Sequence, residues 1–239
     1  MLRLYRQQIL PGLSFECAVP EGEGYGPGTW VVLQCERFQE VGRLQAPCPC
    51  APAEDIAVWE RQRSERGARR MEGAKIPLVL RKATEEDRQR RRENRELAQS
   101  MTPLVEEKLR ECHLAHLRLT TLHLTLDRKY LVCLYTAQGR VDFRSFLHSM
   151  ATAVSQRLEM RQIGPREEAA ILGGLGICGR PLCCHGFLSL MLPPAQTPTP
   201  WRSSSKLGLC NQSRCCLRFT PEEPRKSPPS PPPPEEKTP

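Results

Sequence analysis

Aromatic side chains are scarce in this sequence, at 5% of 239 residues. A chain so poor in large rings can build modest cores but hardly one extensive core. No run of about 18 apolar residues occurs, which excludes a membrane-spanning helix. The opening MLRLYRQQILPG lacks the sustained apolar stretch and small-residue cleavage site of a secretory signal, so the cytoplasm is the expected compartment. Catalytic constellations are also missing. His113 and His116 share one possible helix face without a carboxylate partner, and the adjacent Glu167 and Glu168 face different ways on a predicted helix. LGGLG at 172–176 has no following Lys-Ser or Lys-Thr and is no phosphate loop. The chain reads as non-enzymatic.

Cysteine, by contrast, is abundant, with twelve residues. LGICGRPLCC at 175–184 and LGLCNQSRCC at 207–216 spell the same Leu-Gly-x-Cys-x-x-x-x-Cys-Cys pattern twice in register. Six cysteines fall in this repeat: Cys178, Cys183, Cys184, Cys210, Cys215 and Cys216. Disulfides are a poor explanation, because adjacent cysteines bridge each other only with strain and a reducing compartment disfavours them. Thiol redox enzymes use Cys-x-x-Cys at a helix start, which neither copy matches. Metal binding remains. All-sulfur sites suit zinc or iron–sulfur clusters, and the spacing alone divides evenly between the two. His185 reads as a polar neighbour rather than a ligand. Cys35 and Cys133 read as small buried hydrophobes on strands, and Cys48 with Cys50 as an exposed loop pair.

Charge is uneven. Residues 61–95 hold thirteen Lys or Arg against six Asp or Glu, nearly all of the chain's net +8. Arg88, Arg90, Arg91, Arg92 and Arg95 are candidates for contact with RNA or a protein partner through anionic groups. The interleaved acids equally suit a solvated helix face.

The expected class is α+β. A small β-rich domain over 1–80 contains strands in TWVVLQCE and VGRLQA. An arginine-rich helix starts at a Thr84 cap and kinks or restarts at Thr102-Pro103. An antiparallel-sheet-plus-helix domain over 81–219 then ends in cysteine-rich loops. HLRLTTLHLTL shows two alternating leucine phases with a slip at Thr120-Thr121, which predicts a bulged strand. Asp127-Arg128 makes the turn into KYLVCLYTA. Phe143, Phe146, Leu147, Met150, Val154 and Leu158 lie on one predicted helical face capped by Asp142, and EMRQI is a final strand. The proline-rich end, 220–239, is expected to be disordered.

The stretch TAQGRVDFRSFLHSMATAVSQRLEMRQIGPREEAAILGGLGICGRPLCC closely resembles the bacterial RicT/YaaT proteins, the PSP-one C-terminal-region family. The elements are the GRVDFR exit, RQIGPREEA and GGLGICGRPLCC. The similarity extends upstream through ATEEDRQ and VVLQCERFQEVGRL. The resemblance implies a cytoplasmic, non-catalytic subunit of a regulatory complex with two small helical partner subunits. It implies a 4Fe–4S cluster ligated partly by the six repeat cysteines, and binding to a membrane-tethered RNase Y-type endoribonuclease whose mRNA processing the complex directs. Effects on sporulation, biofilm formation and competence would follow. The second copy departs from the family's Cys-Gly-Arg by reading Cys210-Asn211-Gln212, losing a turn-forming glycine. A zinc-stapled RNA-binding module is the alternative reading.

Overall fold

A computed structural model describes residues 2–10, 13–20, 24–47, 76–186 and 207–215. Cys48, Cys50, Cys216, the first part of the basic stretch and the proline-rich end lie outside the described residues.

Five strands come first: β1 (Leu2–Leu10), β2 (Leu13–Pro20), β3 (Trp30–Gln34), β4 (Gln39–Pro47) and β5 (Leu78–Lys82). They close into a barrel in the order β1-β2-β5-β3-β4. Alternation along each strand explains the closure. Tyr5, Cys17, Val19, Val31, Leu33, Leu44 and Val79 fill the interior. Val32 and Val41 point the other way and are still buried, because they meet Leu126 outside the barrel. β5 spans residue 80, so the closing strand runs across the boundary expected between the first two domains.

Helix α1 (Glu85–Glu111) follows. Thr84 is the predicted cap and with Asp87 forms a capping box, the Thr84 hydroxyl accepting from the Asp87 amide and the Asp87 carboxylate accepting from the Thr84 amide. Arg81 grips both oxygens of Asp87. This Arg81 contact, with help from Thr84, holds the Asp87 carboxyl at about 2. Because the value is depressed, its stability contribution is full above the ordinary 3.8 and is lost as pH falls toward about 2. Asp87→Asn is therefore expected to flatten that part of the acid-unfolding profile, read from urea midpoints across the window.

The helix does not restart at Thr102-Pro103 but runs through as one element. Thr102 donates to the Ala98 carbonyl instead of capping. Pro103 is exposed, so water can satisfy the backbone oxygen its missing N–H leaves free. Ala98, Val105 and Leu109 anchor the inner face, and packing overrides the local signal.

The second sheet has the order β6-β7-β8, from β6 (Arg118–Leu124), β7 (Tyr130–Thr136) and β8 (Arg157–Gln162). The leucine phase slip is a bulge, seen as a register shift between Leu119 and Thr121. Arg128 makes the turn at positive φ, 57°, fixed by its bonds to Asn94 and Glu93 of α1. β8 runs parallel to β7, so the sheet is mixed rather than purely antiparallel. A parallel neighbour needs a crossover, and α2 (Arg144–Ala153) supplies it.

α2 is shorter than its apolar stripe. Val154 ends it and Leu158 already belongs to β8, while Leu147 is exposed. Phe143 occupies the cap position and Asp142 accepts from the Arg144 amide just outside. Phe146 and Met150 are fully buried against α1 and the sheet, each burial stabilising by about 1.5–3 kcal/mol.

β7 explains its unbroken apolar run by being covered on both sides. Leu131, Cys133 and Tyr135 face the helices, while Val132 and Leu134 meet Ile9, Cys35 and Phe38 of the barrel.

Candidate metal centre

Helix α3 (Pro165–Leu172) leads into the cysteine loops. Proline suits its first position, and the Gly164 amide donates to Glu167 at 2.7 Å. Gly173 ends it at φ 73°. Buried Ala170, Ile171 in the seam beneath the barrel, and a 3.2 Å Glu168–Arg118 ion pair fix the helix on the body. The two neighbouring glutamates thus do separate structural jobs.

The two copies of the repeat fold alike. In the first, Leu175 bridges Pro181, the Gly176 amide donates to the Arg180 carbonyl at 2.8 Å, and the Gly179 amide donates to the Gly176 carbonyl. In the second, Leu207 bridges Ser213, Gly208 donates to Gln212 at 2.8 Å, and Asn211 donates to Gly208. Each first cysteine folds back over the loop glycine. A methyl group at Gly176 would lie 3.5 Å from Cys178 Sγ, and one at Gly208 would lie 3.8 Å from Cys210 Sγ.

The equivalence resolves the departure in the second copy. Gly179 has φ 74° and Asn211 has φ 55°, the same left-handed turn. Asparagine is among the few residues that visit this region readily. Asn211→Gly is expected to leave the loop intact, whereas Asn211→Val adds about 1–2 kcal/mol of backbone strain. Hydrogen exchange at the Gly208 amide reports the difference, with faster exchange only in the valine variant.

The loops meet at Cys184. It is buried, and Cys215 of the other copy lies near enough to act on its thiol. Burial, then the nearness of Cys215 and Cys210, pushes the Cys184 thiol up to about 11. Cys133 also has its thiol pushed up, to about 12, but by burial alone within the strand core. Cys183 is half-buried and Cys178 exposed at the tip of its loop. Among the described residues, no three His, Cys, Asp or Glu side chains already stand as a group that would hold a metal ion. His185 turns away from ligand duty at one nitrogen, donating Nδ1–H to the Ala170 carbonyl at 2.6 Å.

The five candidate arginines of α1 divide. Arg88 and Arg92 pair with Glu85. Arg91 turns inward, donating to the Ile9 carbonyl and lying 5.1 Å from the Trp30 ring centre. Arg90 and Arg95 are exposed, without an ion-pair partner among the described residues.

Local sequence gave no sign of two features. Arg166 Nη2 donates to the Ser213 carbonyl at 2.7 Å, across 47 positions. His123 Nε2 lies 2.6 Å from Glu40 Oε2, joining β6 to the barrel across 83 positions.

Residues 77–163 match the PSP1 C-terminal conserved region. That match covers β5 through β8 and stops before α3 and the cysteine loops. Stage 0 sporulation protein YaaT of Bacillus subtilis (strain 168) is 41% identical over 115 residues, 47% of this chain and 42% of the relative. The chain therefore spans less than half the length of that curated relative. No solved structure matches. Among the described residues no helix is long and apolar enough to cross a membrane. The chain thus carries the PSP1 C-terminal conserved region within this α+β body and is similar, over part of each length, to a sporulation protein.

Proposed function

We propose that the protein is a non-catalytic iron–sulfur regulatory adaptor that works within a small protein complex and modulates mRNA processing by an RNase Y-type endoribonuclease. The observation that carries the metal part is the docking of two equivalent cysteine loops on one helix, Arg166 reaching Ser213 and His185 reaching Ala170, with Cys215 and Cys210 near enough to raise the Cys184 thiol. Their donor chemistry fits a thiophilic centre, and the remaining repeat cysteines stand within the same two loops. A 4Fe–4S cluster, when bound, supplies an oxidation-sensitive centre. The chain's own residues hold it: Cys178, Cys183 and Cys184 from one loop, Cys210, Cys215 and Cys216 from the other. Gly179 and Asn211 set the turns that aim them. The adaptor role and the ribonuclease rest on the resemblance to the RicT/YaaT family.

Anaerobic purification tests the reading. Brown protein containing iron and acid-labile sulfide is expected. Colourless protein with stoichiometric zinc would replace the cluster by a zinc staple. In that second reading the exposed Arg90 and Arg95 contact RNA, and the affinity must fall steeply with added salt. A flat salt response would remove it.

A further inference from the structure

The second cysteine loop is held to the body in a way the first does not need. Loop one begins at the end of α3, where Gly173 and Gly174 lead directly into Leu175. Its Leu182 amide donates back to the Gly174 carbonyl, so chain continuity and one backbone bond fix it. Loop two lies thirty-two positions further along the sequence, and holding two segments so far apart in the chain together costs conformational entropy. A specific tie must offset that.

α3 offers one. Arg166 and Ala170 are four residues apart and share a helix face. Arg166 donates to the Ser213 carbonyl, while the Ala170 carbonyl accepts from His185. Ser213 stands two residues before Cys215, and His185 directly follows Cys184. One face of one helix therefore holds the chain immediately beside both thiols. Ser213 is also the residue that bridges Leu207, so pinning its carbonyl pins the whole small loop. The buried Arg166 Nε has no hydrogen-bond partner, which leaves the bond to Ser213 as the described polar anchor of this side chain.

We propose that Arg166 is a positioning residue that docks the second cysteine loop on α3, so that Cys184 and Cys215 face each other before any metal is present. The fold then brings one thiol of each loop together, and the metal gathers the remaining cysteines around them. This deepens the metal-centre reading and rests on it for its purpose, while its test needs no metal.

Full-length protein is stripped with a chelator under reductant, freed of both, and treated with diamide. Cys184 and Cys215 each give up one proton and one electron to form the S–S bond, and the N=N bond of diamide is reduced to the hydrazine. Peptide mapping follows the Cys184–Cys215 crosslink against time. In the unaltered protein this is expected to be the dominant link between the loops. Arg166→Gln should slow it by about tenfold or more, the worth of a charged hydrogen bond. Arg166→Lys, which keeps a cationic donor, should restore most of the rate. The crosslinking of a loop-one pair, Cys178 with Cys183, serves as a folded-state control that Arg166 should not alter. Unchanged Cys184–Cys215 closure in Arg166→Gln, or crosslinks in the unaltered protein scattered among the cysteines, would overturn the proposal. Normal closure in a protein that never takes up metal would leave Arg166 in its role and remove the metal-centre reading instead.

Discussion

Cys184→Ser is expected to strip the protein of its metal, while Cys133→Ser keeps it. A hydroxyl replaces a thiolate at the point where the two loops meet, and soft or borderline metals bind it far less well. The loss should exceed the about 10–100-fold that outer-shell changes produce. Cys183→Ser, in the same loop, is expected to follow Cys184→Ser. Cys133 provides the contrast because it is equally hidden but alone, on β7 among Leu131 and Tyr135. Serine there buries a hydroxyl and lowers stability by about 1–3 kcal/mol without touching metal content. Iron, sulfide and zinc analysis of anaerobically purified variants decides the matter. Equal metal in Cys184→Ser and Cys133→Ser would defeat the ligand assignment.

The second large effect lies far from the cysteines. His123→Ala is expected to destabilise the fold by about 1–3 kcal/mol, the cost of leaving a buried acceptor without its hydrogen-bond partner. Glu40 is only 1% exposed. Its one oxygen accepts from the Val41 amide and the other meets His123 at 2.6 Å. Without the ring, that second oxygen stays in the seam between barrel and sheet with no direct partner among the described residues, though Arg91 still attracts it from farther off. Replacing both residues by leucine should recover most of the loss, since an apolar pair of similar volume avoids the desolvation altogether. Urea unfolding of the two single variants and the double variant measures the coupling. If His123→Ala cost less than about 1 kcal/mol, the seam would not depend on this pair.

What could be read beforehand was mostly local. The bulge at Thr120-Thr121 announced itself because a one-residue slip moves leucines between faces of a strand. The Thr84 cap was equally plain, since both of its partners lie within three residues. Failures came where distant chain intervened. The apolar stripe of α2 seemed to continue to Leu158, but those last positions are apolar because β8 packs on the same core. Arginine at 91 looked like surface charge, yet the barrel supplies the Ile9 carbonyl and the Trp30 ring that draw it in. In the candidate site, the repeat disclosed which cysteines belong together and nothing about how the copies meet. That depends on Arg166 and Ser213, which no spacing rule connects. Asn211 looked like damage to the motif until its turn proved identical in kind to that of Gly179.

The strand β7, clad by helices on one side and by the barrel on the other, has a practical consequence for anyone dissecting the molecule. Excising the barrel would lay Val132 and Leu134 open to water, and excising the helical layer would do the same to Leu131, Cys133 and Tyr135. Fragments cut near residue 80 should therefore aggregate or melt rather than behave as autonomous modules, and heating the whole chain should give a single cooperative transition.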